Sequence, residues 1–344
     1  MKRDEGLARR LLDGDRGAVA RLITWAENAD PRFRAELPGF WSRVGRAWRA
    51  GVTGPPGAGK STLVNELTLR HRAAGRSVGI LAVDPSSPFT GGALLGDRIR
   101  MESIALDEGV YIRSMGSRGS LGGLATSTRE VCDLLDAAGF DRILVETVGV
   151  GQSELDVARM TDATVLVLVP ESGDGIQALK AGLMEVADIF VVNKADRPGA
   201  DKLRQDIEVT LGIRQGNAFR HVPVHHGART NPRGDGALLR ADGWDHPVIL
   251  TSAVKGEGIG DLTEALDRLF DRLAGTGELA ERRRRRLLDR TRDVVDRATR
   301  RWLWEETGAE RHVAGRLDDV VEGRISPYEV AAEVVEGLKQ GART

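Results

Sequence analysis

The run Gly54-Pro55-Pro56-Gly57-Ala58-Gly59-Lys60-Ser61-Thr62 fits the pattern G-x-x-x-x-G-K-[ST]. Small residues let backbone N–H groups turn inward and cradle phosphate oxygens. Lys60 has the reach to meet β- and γ-phosphates, and Ser61 offers a hydroxyl to Mg²⁺. A helix starting here points the positive end of its dipole at the anion. A chance match in a turn is the competing reading. The flanks argue against it, because an apolar run (Trp48 to Val52) precedes the loop and a helical pattern (Thr62 to His71) follows. The chain is expected to bind a nucleoside triphosphate.

Further segments refine that chemistry. Asn193-Lys194-Ala195-Asp196 is N-K-x-D, the guanine-reading sequence of many GTPases. A carboxylate at Asp196 accepts from guanine N1–H and its exocyclic amine, whereas adenine lacks that donor pair. The alternative is a polar turn after a strand. Thr251-Ser252-Ala253-Val254 resembles the second base-contacting loop of GTPases, which puts Ser252, Ala253 and Val254 near the base. Glu146-Thr147-Val148-Gly149 stands where many GTPases carry D-x-x-G, the acid serving Mg²⁺ and the Gly149 N–H the γ-phosphate. Glu replaces Asp here, and its longer stem still presents a hard oxygen ligand. Asp84 and Asp97 are two more carboxylates for the metal or its waters, and either could instead cap a helix. Gly149 to Glu154 is glycine-rich and polar, as a γ-phosphate-sensing switch requires. Glu171 to Gly175, with Lys180 beyond it, reads equally as a mobile acidic loop or a plain strand-to-helix connection.

These loops need a scaffold. Seven short apolar runs, Trp48–Thr53, Val78–Val83, Val110–Arg113, Ile143–Glu146, Val165–Val169, Ile189–Val192 and Val248–Thr251, alternate with helical patterns between about 47 and 275. Continuous β-branched runs suit strands covered on both faces. The alternation predicts an α/β fold, a doubly wound, mostly parallel sheet whose strand carboxyl ends hold the ligand. Residues 3 to 45 read as helices, with Asp15 capping the second. Residues 276 to 344 read as helices again, with Ser326-Pro327 as a helix start. The expected domains are therefore an extension over 1–45, a nucleotide-binding domain over 46–275 and a helical arm over 276–344.

Composition narrows the class. Hydrophobic residues make up 41% and charged residues 29%, with a net charge of −1, so no global field favours nucleic acid. The Arg282 to Arg286 run interleaves with acids and reads as the solvated face of an amphipathic helix. The single Cys132 excludes an intrachain disulfide framework. No apolar run approaches the roughly 20 residues that span a bilayer, so a cytoplasmic, non-membrane protein is expected. His221, His225, His226 and His246 fall in an irregular stretch over 214–247 that reads as a solvated insertion rather than a metal site.

The set GPPGAGKST, VDPSSPFTGGALLGDRIRM (83–101), RSMGSRGSLGGLA (113–125), ETVGVGQSE (146–154), NKAD (193–196) and TSAVKGEGI (251–259) resembles the MeaB/ArgK/MMAA family of P-loop GTPases. The likeness covers roughly 45 to 275, and the helical arms match that architecture. It implies a homodimeric GTPase that uses GTP/GDP and Mg²⁺ and is slow alone. It also implies a chaperone that gates adenosylcobalamin loading and protects or reactivates methylmalonyl-CoA mutase. By position Lys60, Ser61, Asp84, Asp97 and Glu146 match phosphate and metal residues, and Asn193, Lys194, Asp196 and Ser252 match base-binding ones. Gln152 to Glu154 lie in the second switch, which leaves Lys60, Glu146 and Gln152 as catalytic candidates, and Glu171 to Lys180 lie in a further switch. Two other readings stay open. One is an ATPase or kinase of a basic amino-acid transport system, against which N-K-x-D argues. The other is a metal-inserting GTPase, for which one cysteine and scattered histidines supply few soft ligands.

Overall fold

A computed structural model describes residues 6–84, 101–116, 121–147, 153–170, 183–214 and 243–341. The chain divides into two compact units, 1–281 and 282–344.

The first unit is built on a seven-stranded, wholly parallel sheet of order β3-β2-β4-β1-β5-β6-β7. The strands are β1 Trp48–Thr53, β2 Val78–Asp84, β3 Val110–Gly116, β4 Arg142–Thr147, β5 Ala163–Leu168, β6 Ile189–Asn193 and β7 Val248–Thr251. All seven lie where the apolar runs predict them. The third runs three residues past the expected Arg113, because Val110 to Gly116 pairs along its whole length with Val78 to Asp84. The fifth starts two residues early, since Ala163 and Thr164 pair with Ala50 and Gly51. The chain runs outward from β1 to β2 and β3, then returns to place β4 between β2 and β1. It then leaves on the other side as β5. That reversal makes the carboxyl end of β1 the topological switch point, where such sheets bind ligands.

Alternation along each strand sorts side chains to two faces. On one face Val52, Ile80, Leu144, Val165 and Val191 pack with Leu63, Val64 and Leu67 of helix α4 (Lys60–Ala73). Leu262, Leu266, Leu269 and Phe270 of a later helix (Ile259–Gly275) complete that core. On the other face Leu81, Val83, Ile143 and Val145 meet the helix Leu121–Ala137 and the N-terminal helices α1 (Leu7–Leu12), α2 (Arg16–Glu27) and α3 (Pro31–Phe40). The N-terminal segment thus supplies Leu7, Leu11, Leu22, Ile23 and Phe33 to the sheet's own core. Asp15 caps its second helix by accepting from Gly17 and Ala18 N–H, as its position predicts. Asp136 locks the approach to β1 by accepting from Gly45, Arg46 and Ala47 N–H at 2.8, 3.0 and 2.9 Å, with the Arg49 guanidinium at 2.8 Å.

The second unit is helical, with most of the helix Glu278–Arg301 followed by Ala309–Val321 and Pro327–Gly341. Ser326 and Glu329 form a reciprocal cap, Glu329 accepting from Ser326 N–H and Ser326 Oγ from Glu329 N–H. Leu287, Leu288, Val294, Val295, Trp302 and Trp304 are exposed along its length. No helix among the described residues is long and apolar enough to cross a membrane.

Candidate nucleotide and metal site

The phosphate loop leaves β1 at Thr53 and enters α4 at Lys60. Two of its glycines are required by close approach. A Cβ on Gly54 (φ 142°) would stand 2.1 Å from the Val167 carbonyl oxygen, and one on Gly59 (φ 86°) 2.4 Å from Asn193 Nδ2. Gly57 also has positive φ, 73°, but faces open space, and Pro56 beside it is exposed. Lys60 curls back along the loop and donates from Nζ to the Gly54 and Pro55 carbonyls at 2.8 and 2.9 Å. Its ammonium is buried there, held across the rim of the loop where phosphate charge is expected. Thr62 follows, half-buried, in the first turn of α4.

Ser61 Oγ donates to Glu146 Oε1 at 2.6 Å, and both residues are buried. The contact exists because β4 lies beside β1 with Val52 opposite Glu146. Glu146 then rises on the α4 face of the sheet. A hydroxyl and a carboxylate in contact form a hard-oxygen pair suited to Mg²⁺, so the residues present fit that ion. Asp84 ends β2 opposite Gly116, which brings its backbone to the same sheet edge. Asp97, Gly149, Gln152, the 171–180 loop and His221, His225 and His226 lie outside the described residues. Among the described residues no group of three or more His, Cys, Asp or Glu is placed to hold a metal. His246 is described, and its Nδ1 meets the Ala187 carbonyl at 3.2 Å.

The two segments expected to read a base converge on one side chain. Asn193 Nδ2 donates to the Ala58 carbonyl at 2.8 Å, and its Oδ1 accepts from Thr251 Oγ1 and Ala253 N–H, both at 3.1 Å. Asn193 thereby joins the phosphate loop to both base loops. Lys194 adopts the left-handed conformation (φ 58°) that turns the chain after β6. Asp196 accepts from Ser252 Oγ at 3.1 Å and faces Lys255 Nζ at 3.7 Å. A backbone N–H, its own, and the Ser252 hydroxyl hold the Asp196 carboxyl below the usual carboxylate range. It stands ionised and exposed, as an acceptor for a base must. Val254 is 89% exposed at the tip of its loop. Ser252 and Glu257 close that loop through paired backbone hydrogen bonds.

The structure therefore brings together Lys60, Ser61 and Glu146 as one group, and Asn193, Asp196, Ser252 and Ala253 as another. Motif reading passed over Thr53, Thr147 and Lys255. Thr147 and Lys255 stand inside recognised runs, but only the partner strands and loops reveal what they touch.

Fold and site define a P-loop GTPase-class nucleotide-binding protein. Residues 19–307 match the family model described as methylmalonyl Co-A mutase-associated GTPase MeaB. The chain belongs to that family. A putative GTPase of Pyrococcus abyssi is 45% identical, the match covering 84% of this chain and 83% of that one. The GTPase ArgK of Escherichia coli is 35% identical over 93% of this chain and 92% of its own. A crystal structure described as an LAO/AO transport system kinase superposes with a TM-score of 0.67 at 28% identity, covering 98% of this chain and 97% of that one.

Proposed function

We propose that this protein is a Mg²⁺-dependent GTPase that chaperones an adenosylcobalamin-dependent methylmalonyl-CoA mutase or a related acyl-CoA mutase. The Asn193 junction is the observation that carries the nucleotide part. It fastens a guanine-reading carboxylate to a phosphate loop, an arrangement with no use in an ATP enzyme. Lys60 offsets negative charge on the β- and γ-phosphates, and the loop N–H groups orient them. Ser61 and Glu146 would hold Mg²⁺, with Asp84 and Asp97 as further acceptors. Held there, a Mg²⁺ ion would supply positive charge that offsets the phosphates. Gln152, in the second switch, is our third catalytic candidate beside Lys60 and Glu146.

The client rests on the family's description as mutase-associated. In this reading the exposed apolar residues of the C-terminal unit are buried against a second copy, and the dimer works in the cytoplasm. Hydrolysis is slow alone and speeds up in the complex, where nucleotide state gates cofactor loading and protects or reactivates the mutase. The test is GTP hydrolysis by the purified chain with and without methylmalonyl-CoA mutase, with co-sedimentation of the two. An unchanged rate and no complex would sink the chaperone role.

A second reading, an ATP-dependent kinase of basic amino-acid transport, takes support from the description of the solved relative. Competition of labelled GTP against ATP separates the two, and tighter ATP binding would favour the kinase.

A further inference from the structure

We propose that Thr53 and Thr147 are a positioning pair that sets the reach of Glu146 toward Mg²⁺; this rests on the Mg²⁺-dependent nucleotide binding proposed above. Thr147 Oγ1 donates to Thr53 Oγ1 at 3.0 Å, and both side chains are buried, 0% and 1% exposed. The backbone ladder between β1 and β4 ends at Val52 opposite Glu146. Thr53 and Thr147 are the next residues on each strand. Their hydroxyl bond continues the stitching one step past the ladder, where the phosphate loop begins after Thr53.

Alternation along a strand puts Thr147 on the sheet face opposite Glu146. The carboxylate reaches Ser61 on the α4 face, while the hydroxyl pair locks the same backbone from behind. A glutamate needs such a lock more than the usual aspartate, because its longer stem has one more rotatable bond. Freedom at the strand end passes directly to its carboxylate. Both threonines lie on the face opposite the Glu146 carboxylate, so they act on it through the backbone.

The test is Mg²⁺-dependent retention of a fluorescent GDP, followed as dissociation rate against Mg²⁺ concentration. Thr53→Val and Thr147→Val are each expected to raise the half-saturating Mg²⁺ concentration about tenfold, the usual cost of losing an outer partner of a metal ligand. The double variant should go no further than either single one. Thr53→Ser and Thr147→Ser, which keep the hydroxyl, should stay near wild type, as should GDP affinity in the presence of EDTA for every variant. Should a valine variant fail to fold, the cysteine variant, with a weak donor, takes its place with the same expectation. Half-saturation within twofold of wild type, additive single effects, or equal loss in the serine variants would overturn the proposal. Wild-type protein that holds GDP without any Mg²⁺ dependence would instead overturn the metal reading beneath it.

Discussion

Asn193 Nδ2 donates to the Ala58 carbonyl oxygen across 2.8 Å, fastening the end of β6 to the phosphate loop. The same amide oxygen holds Thr251 and Ala253. Replacing Asn193 with Ala strips partners from buried groups in two loops at once, at about 1–3 kcal/mol for each group left unsatisfied. GDP affinity measured by titration calorimetry is therefore expected to fall at least about tenfold. Thr251→Val removes one of the two donors to the amide oxygen and should produce a smaller loss in the same direction.

Asp196→Asn exchanges an acceptor-only group for one that also donates. Guanine N1–H then loses its charged acceptor, while a base with a carbonyl in place of the exocyclic amine gains the asparagine N–H as a donor. Binding should shift from GTP toward xanthosine triphosphate, read as a reversal in competition assays. Ser252→Ala tests the electrostatics separately. Asp196 has a depressed pKa, so its charge is present at neutral pH and is lost only as pH falls through that depressed value. Without the Ser252 hydroxyl the loss should move upward toward the ordinary 3.8, visible as a carboxyl-carbon NMR titration.

Gly54 and Gly57 separate close approach from backbone strain. Both have positive φ, but only Gly54 has a backbone oxygen, that of Val167, where a Cβ would go. Gly57→Ala should cost about 1 kcal/mol, the price of a left-handed L-residue. Gly54→Ala should cost about 3 kcal/mol or more, because strand backbone must also move. Urea denaturation of the two variants gives the comparison.

His71 sets an acid limit on stability. Burial, helped by the charges of Arg142 and Arg76 and opposed by Asp267, pushes this imidazole down to about 4 from 6.5. Between those values the unfolded chain takes a proton that the folded chain refuses, so stability falls as pH drops. The span corresponds to about 3 kcal/mol. Thermal unfolding from pH 7 to pH 4 should show that slope in the wild type and a flatter one in His71→Gln.

Local chemistry was written plainly enough in the chain to be read without coordinates. The phosphate loop, the N-K-x-D run and the helix caps at Asp15 and Ser326 depend on neighbours a few residues away, so residue type and spacing suffice. The seven strands follow from β-branched runs, since a strand covered on both faces needs apolar residues throughout. The N-terminal helices were legible as helices, but not as part of the sheet's core. Their apolar stripe says that something must be covered, without saying what.

Sequence by itself thus determined which groups could meet phosphate, metal and guanine. Only the tertiary structure decided which of those groups stand against one another. Ser61 and Glu146 stand 85 residues apart, and Asn193 and Ala58 135 apart. Each pair forms because β1 lies between β4 and β5, with β6 beyond β5. Strand propensity is local and carries no record of which strand lies alongside. The Thr53–Thr147 bond is the clearest case, two ordinary threonines made partners by register alone.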